Sequence, residues 1–202
     1  MIIIRCWLEQ LLKCAFVYAF FNINVLNPEL INILFNNDKS IQFNFQKLFI
    51  FASNKTFESV LKFSLNHLTI SESLHICLDN VDITEQDTKF LYNILINEGN
   101  KFPKIRLRSS KLRPLYDIMI EYITTSRDFS KMVTVIDINL FAPPSFKLNE
   151  RAEKIEIKQI NYTKYTNYQI ANIHNPKVRF SLCNKERDDG IIFCIQISKM
   201  TE

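Results

Sequence analysis

The chain has 202 residues, of which 47% are hydrophobic, so the composition provides a large apolar core and excludes a wholly disordered protein. It has only two glycines, Gly99 and Gly190, which excludes both a P-loop and the G-x-G-x-x-G loop that binds dinucleotides. The net charge of +4 is too small to indicate a surface that neutralises many phosphates, and we expect no nucleic-acid partner.

The N-terminal segment is very apolar and predicts a mostly buried helix over Ile4–Phe20. Charged residues interrupt this segment at four-residue spacing, at Arg5, Glu9 and Lys13. The longest continuous apolar run, Cys14–Phe21, is much shorter than the roughly 20 residues that a transmembrane helix requires. We therefore expect no contact with a membrane; a cleaved secretory signal is the alternative interpretation of this segment.

The next segments alternate between strand and helix patterns. Residues Ile23–Leu26 predict a short strand, and Asn27 followed by Pro28 is typical of the first residues of a helix. Apolar and polar residues alternate in Ile41–Phe45, which predicts a second strand. Apolar residues at helical spacing then predict a helix over Lys55–Leu68.

Three further segments repeat one short strand pattern. Leu74–Leu78, Ile105–Arg108 and Val135–Leu140 each alternate apolar and polar residues, as half-buried strands do. Their centres lie about 30 residues apart, with helical patterns between them, and this period is typical of stacked strand–helix repeats.

The helical patterns in these gaps carry start and stop signals. The helix predicted over Glu85–Glu98 is preceded by Thr84, which with Asp87 resembles an N-terminal capping pair. Gly99 follows this helix as a C-terminal stop. A second helix is predicted over Leu115–Thr125.

The spacing between strands shortens after Pro143. Strands are predicted at Ile155–Ile157, Val178–Leu182 and Ile191–Ile197, with a hairpin turn at Glu186–Gly190. We therefore predict an α/β fold: a short leucine-rich-repeat-like strand–helix solenoid, in which residues 1–140 form the repeats and residues 141–202 form a strand-rich cap. The whole chain, 1–202, is expected to be a single recognition domain.

No pattern indicates a catalytic or metal site. His67, His75 and Cys77 lack the spacing of zinc ligands, and no cysteine has a local base that would activate it. Paired carboxylates occur in turns and at a helix start, where acidic residues cap and solubilise. We expect no enzymatic activity, no metal and no cofactor.

The five cysteines form no C-x-x-C motif, and their number is odd. Free thiols packed as small apolar groups explain this pattern and favour a reducing compartment. The expected location is therefore cytoplasmic or nuclear, with secretion as the alternative.

The polar residues of the predicted strands would form one solvent-facing ladder, and sheet faces of this kind are the usual contact surface of curved solenoids. The basic cluster around Arg106 and Arg108 is either a solvated face or the binding site for an acidic patch. Charge reversal at these two arginines is predicted to weaken binding without unfolding the chain. The predicted protein-binding face consists of His75, Cys77, Arg106, Arg108, Asp137, Asn139, Glu156, Lys158 and Arg179.

Several strings resemble the expanded family of F-box-domain-containing proteins of plant-parasitic nematodes, in the region after the F-box. The resemblance covers nearly the whole chain. The strings are Ile4–Leu11, Asn27–Glu29, Ser71–Leu74, Asp79–Gln86, Glu121–Ser126 and Tyr168–Val178.

This resemblance implies the substrate-recognition part of a ubiquitin-ligase receptor, which would capture an unidentified protein target. The F-box itself is not expected here, because no Leu-Pro opening precedes Ile4. A Skp1-type adaptor is therefore an expected partner only if an F-box lies upstream. The alternative is a secreted effector that binds a host protein and has no ligase role.

Overall fold

The structure is a computed structural model that describes residues 2–22, 33, 42–143 and 146–200. These residues form four helices and nine strands, and the chain divides into two compact units. Unit 1 comprises Met1–Asp82 and Lys101–Pro103. Unit 2 comprises Ile83–Asn100 and Lys104–Glu202.

Unit 1 contains a parallel sheet of three described strands. Strand β2 lies between β1 and β3 and runs parallel to both. The elements in chain order are α1 (Ile2–Leu11), β1 (Ala15–Asn22), β2 (Phe43–Ser53), α2 (Phe57–His67) and β3 (Leu68–Asn80).

The core of unit 1 follows from the alternation of buried and exposed residues in the regular parts of β2 and β3. Leu48 and Ile50 of β2 are buried, as are Leu74 and Ile76 of β3, and the residues between them point to the opposite face. Helix α2 contacts both strands and contributes Leu61 to the buried side. One face of this sheet is therefore covered by helix.

The helix predicted over Ile4–Phe20 is only half correct. The helix ends at Leu11, and Ala15–Asn22 is strand β1. Aromatic residues such as Phe16 and Phe20 favour strands, and β1 gains a full ladder against β2. The predicted strand at Ile23–Leu26 and the helix start at Asn27 and Pro28 lie outside the described residues. Of the predicted strand Ile41–Phe45, Ile41 also lies outside them, Gln42 is not in a strand, and β2 begins at Phe43.

Unit 2 contains a mixed sheet in the strand order β4-β5-β9-β8-β7-β6. Strand β4 runs parallel to β5, and each of the other neighbouring pairs is antiparallel. The elements in chain order are α3 (Glu85–Asn97), β4 (Lys104–Arg108), α4 (Arg113–Thr125), β5 (Val135–Asn139), β6 (Glu153–Ile160), β7 (Thr163–Ala171), β8 (Arg179–Arg187) and β9 (Ile192–Lys199).

The predicted leucine-rich-repeat-like solenoid is wrong. A solenoid stacks each repeat on the preceding one, whereas here the last strand, β9, lies beside β5 and antiparallel to it. The pairing Ile136↔Ile197 aligns buried isoleucines of the two strands. Strands β6–β9 are consequently members of the same sheet as β4 and β5, and the predicted strand-rich cap is wrong as well. A strand spacing of about 30 residues also arises in ordinary βαβ units, so it could not distinguish the two folds.

Both helices of unit 2 are held at their ends by side chains. The predicted capping pair is confirmed: Asp87 N donates to Thr84 Oγ1 at 3.1 Å, and Thr84 N donates to Asp87 Oδ2 at 2.9 Å. The buried Asn172, after β7, donates from Nδ2 to the backbone oxygens of Ile123, Thr124 and Ser126 at 3.1, 3.0 and 2.9 Å. It therefore satisfies carbonyl groups that the end of α4 leaves unpaired.

Gly99 marks a close approach of two backbone segments. Its N–H donates to Lys131 O at 2.7 Å, and a Cβ atom at this position would collide with the backbone oxygen of Met132. This position thus requires glycine for reasons of space.

Candidate functional site

The predicted binding residues fall on two separate units. His75 and Cys77 lie on β3 of unit 1, and the remaining seven lie on unit 2. Each unit therefore presents its own candidate surface.

The side of the unit 1 sheet opposite helix α2 carries a row of rings. Strand pairing places Phe20 beside Phe49, and Phe49 beside His75. Tyr18, Phe20 and Phe51 have exposed fractions of 56%, 66% and 49%. We name this surface the aromatic face, and it consists of Tyr18, Phe20, Phe49, Phe51 and His75.

The rings of the aromatic face contact one another across the strands. Phe20 stacks on Phe49 with a centroid distance of 4.8 Å and an angle of 15° between planes. The centroids of Phe49 and His75 lie 4.3 Å apart. His75 Nε2 shares a hydrogen bond of 3.0 Å with Ser73 Oγ, which orients the imidazole. The three rings therefore form a continuous row across the strands, with the Phe49 and His75 planes tilted by 44°.

The positive charge of Lys47, beside this row of rings, is neutralised. Lys47 Nζ lies 2.7 Å from a carboxylate oxygen of Glu72 and 3.4 Å from the hydroxyl of Tyr18. The hydrogen bond to Glu72 is the main cause that raises the pKa of Lys47, and the bond to Tyr18 adds to it. Because this cation is already paired, the aromatic face has no basic groove of the kind that follows a nucleic-acid backbone.

Asp137 is the centre of a charged cluster in unit 2. Its Oδ2 accepts hydrogen bonds from Arg106 Nε at 3.0 Å and Nη2 at 2.8 Å, and it lies 3.0 Å from Lys104 Nζ. Gln196 Nε2 donates to its Oδ1 at 2.7 Å. The exposed fraction of Asp137 is 0%, so the prediction that it faces solvent is wrong.

The pKa of Asp137 reflects this environment. Burial acts to raise the pKa of the carboxyl, but the hydrogen bonds from Gln196, Arg106 and Lys104 together outweigh burial and lower it. Asp137 is therefore a buried anion held by two cations, and Arg106 has a structural role. Charge reversal at Arg106 would disturb the fold, which corrects the expectation that it would leave the chain folded.

Arg108 and Asn139 lie side by side at the carboxyl ends of β4 and β5, at the rim of a pocket of about 700 Å³. Arg187 Nη2 lies 3.6 Å from Asp189 Oδ2 in this pocket. The sequence analysis missed Tyr162 of the lining, because the β6–β7 turn that presents it was not predicted. The lining residues are Arg108, Asn139, Phe141, Tyr162, Thr163, Arg187, Asp188, Asp189 and Phe193.

The other three predicted residues lie near the edge of the unit 2 sheet. Glu156 and Lys158 are exposed on β6, where a carboxylate oxygen and the ammonium nitrogen are 3.4 Å apart. Arg179 Nη1, on β8, donates to Glu153 Oε2 at 2.8 Å. These ion pairs connect residues within the sheet.

No three described His, Cys, Asp or Glu side chains lie close enough to hold a metal ion. Burial raises the pKa of Cys183 and raises that of Cys194 to about 11, so both groups are thiols rather than reactive thiolates at neutral pH. In the described part of the chain, no helix has the length and apolar character needed to cross a bilayer.

Comparison with known proteins adds little to this geometry. Residues 1–79 match a family model described as a domain of unknown function, DUF8381. No curated protein matches the chain. A solved S-adenosylmethionine-dependent methyltransferase from Clostridium acetobutylicum ATCC 824 matches with 10% sequence identity and a TM-score of 0.20, over 100% of this chain and 72% of that chain. A TM-score of this size supports no conclusion about fold or activity.

Proposed function

We propose that this chain is a protein-binding module and that the aromatic face of unit 1 is its contact surface. The observation that carries the proposal is the set of exposed rings on the side of a parallel sheet opposite helix α2. Parallel sheets are normally covered on both faces, yet here one face exposes Tyr18, Phe20 and Phe51. Aromatic residues are enriched at protein interfaces, and clustered exposed apolar groups mark such sites.

The chemistry of the aromatic face defines the partner. Its centre is the row of rings Phe20–Phe49–His75, which is mainly apolar, and its cation Lys47 is already matched by Glu72. A complementary partner is a protein that presents an apolar patch at the centre of the contact, with polar groups at its rim. Burial of the rings would then supply most of the binding free energy.

The two functions suggested by the family resemblance remain predictions. A substrate receptor and a secreted effector would both use a protein-binding surface, so the aromatic face fits either. Co-purification with a Skp1-type adaptor of the protein encoded by the complete gene distinguishes them, because only the receptor needs the adaptor.

Site-specific photo-crosslinking tests the proposal. The photoreactive residue benzoylphenylalanine replaces Phe20 in one protein and Lys62 in a control, because Lys62 is exposed on helix α2, which covers the opposite side of the sheet. In extract of the source organism, the protein labelled at position 20 is expected to crosslink a discrete protein that mass spectrometry identifies. Equal products from both positions, or none from position 20, would contradict the proposal.

The identified partner then gives a quantitative test. Phe20→Ser is expected to weaken its binding at least tenfold, about 1.4 kcal/mol, because this ring is the most exposed one of the aromatic face. Tyr162→Ser is the matched control, since it removes an exposed ring from unit 2. Binding is measured by titration calorimetry, with circular dichroism to verify that both variants fold. Equal losses for the two variants would reject the aromatic face.

A further inference from the structure

Strand β6 is an edge strand with an open side. Within the described residues it has one strand neighbour, β7, and it ends the sheet of unit 2. In an antiparallel ladder, alternate residues direct their N–H and C=O groups away from the neighbouring strand. All eight residues of β6 are exposed. The edge is therefore a template for one more strand.

The edge of β6 is protected only in part. Proteins commonly block an exposed edge with proline, with charged side chains, above all lysine, or with a bulge. Strand β6 carries Lys154 and Lys158, and its ladder is irregular between Glu153 and Glu156. Strand β6 has no proline, and its isoleucines Ile155, Ile157 and Ile160 have exposed fractions of 51%, 63% and 55%. Its regular part carries one acid and one base, Glu156 and Lys158, on the same side of the strand.

We propose that β6 pairs antiparallel with β6 of a second copy of this chain, centred on Ile157. In this register Ile157 lies opposite Ile157 of the second copy, and Glu156 lies opposite Lys158. Two-fold symmetry repeats the Glu156–Lys158 pair, so the strand is complementary to itself in charge. Opposite charges placed directly across a ladder stabilise the pairing, and like charges oppose it.

The charges disfavour one neighbouring register, and the irregular start of the ladder disfavours another. A register centred on Glu156 would place the two Glu156 carboxylates opposite each other and would place Lys154 opposite Lys158. A register centred on Ile155 would pair Glu156 with Lys154, but Lys154 has a φ of 52° and lies in an irregularity of the ladder between Glu153 and Glu156. The regular strand begins at Glu156, which favours the register centred on Ile157.

Sedimentation velocity over a concentration series tests the dimer with a charge swap. The wild-type chain is expected to dimerise. Glu156→Lys and Lys158→Glu should each weaken dimerisation about tenfold or more, because each creates two like-charge pairs across the interface. The double variant Glu156→Lys/Lys158→Glu should recover wild-type affinity to within about threefold, since both pairs return with reversed sign.

A mixture of the two single variants isolates the contact between copies. In an equimolar mixture, the lysines at positions 156 and 158 of the Glu156→Lys chain lie opposite the glutamates at positions 158 and 156 of the Lys158→Glu chain. A heterodimer is therefore expected. An ion pair between positions 156 and 158 of the same chain cannot explain this result, because each single variant carries the same sign of charge at both positions. Circular dichroism verifies that each variant is folded before it is mixed.

Two control variants test whether β6 alone holds the dimer together. Lys62→Glu has the same net charge as Lys158→Glu but lies in unit 1, and it should dimerise like the wild type. Phe20→Ser should also leave the dimer intact, so failure of the aromatic-face proposal and failure of this one are distinguishable. A monomeric wild type would overturn the proposal and leave the edge to a strand of another protein. A monomeric mixture, or dissociation by either control variant, would overturn it as well.

Discussion

Asp137 illustrates which property of a residue the sequence reveals and which it does not. Alternation in Val135–Asn139 correctly separates it from Ile136 and Ile138, the buried apolar residues of the strand. Its burial depends on Gln196, a residue 59 positions away, and on Arg106, 31 positions away. Pairings over such distances leave no periodic trace in the sequence, so the enclosure of the carboxylate could not be predicted.

Replacement of Asp137 by Asn is expected to destabilise unit 2 by about 2 kcal/mol at pH 7, a typical cost of losing hydrogen bonds to a charged group. The lowered pKa of Asp137 means that its contribution is present above the unfolded-state pKa of about 3.9 and is lost as the pH falls through the folded-state pKa. The wild type should therefore lose stability in this acidic range, and Asp137→Asn should lose less. Urea denaturation between about pH 2 and pH 7, a range that includes the titration of the Asp137 carboxyl, measures both effects.

Asp117→Asn is the matched control, because Asp117 forms an exposed pair with Arg113 on helix α4. Its unfolding free energy should stay within about 0.5 kcal/mol of the wild type. Equal losses for the two variants, or an unchanged acid profile for Asp137→Asn, would refute a special role for the buried carboxylate.

Elements with local signals were predicted correctly. Thr84 and Asp87 are three residues apart, and their reciprocal hydrogen bonds require only the geometry of one helical turn. Strand β1 was not predicted, because Ala15–Phe21 is continuously apolar and such a run does not distinguish a strand from a buried helix. Strand β7 was missed although Tyr168 and Ile170 are buried at alternate positions within it.

Asn172 lies in Tyr168–Val178, one of the strings on which the family resemblance rests, and in the structure it caps the end of α4. Asn172→Ala is expected to cost about 2–4 kcal/mol, since it removes a buried amide that caps the end of α4 and leaves carbonyl groups without that donor. Thermal unfolding monitored by circular dichroism measures the loss.

Asn175→Ala is the comparison for this prediction, because Asn175 is exposed and its side chain accepts one hydrogen bond, from Lys177 N at 3.2 Å. It should shift stability by about 1 kcal/mol or less. If the two alanine variants unfold at the same temperature, the cap on α4 contributes nothing measurable.

The arrangement of the strands lay beyond the sequence pattern. Periodicity predicted strands near Ile76, Ile105 and Val135, and these are confirmed as parts of β3, β4 and β5. It could not predict that β9 would lie beside β5, because that neighbour is chosen by packing between distant segments. The candidate site was predicted incompletely for the same reason. The sequence analysis included His75 and Cys77 in the predicted binding face, but it assigned Phe20 to a helix and so missed the aromatic face.

The free thiols provide a test that covers the whole molecule. Cys6 and Cys14 are exposed, and Cys194 is buried with a pKa of about 11. Iodoacetamide should therefore alkylate Cys6 and Cys14 first, and it should modify Cys194 on the order of a hundred times more slowly at pH 8, because the thiolate is the reactive form. Peptide mass spectrometry over time measures the order. If Cys194 reacted as fast as Cys14, its burial would be refuted.

The tight contact at Gly99 gives a criterion for finding relatives among divergent sequences. A side chain at position 99 would push against the Met132 carbonyl, so a homologue of the same shape should retain glycine shortly after helix α3. Gly190, in contrast, occupies a hairpin turn with a φ of 79°, a conformation that asparagine also adopts. An alignment in which position 190 drifts to asparagine while position 99 stays fixed would therefore identify true members even where overall identity is low.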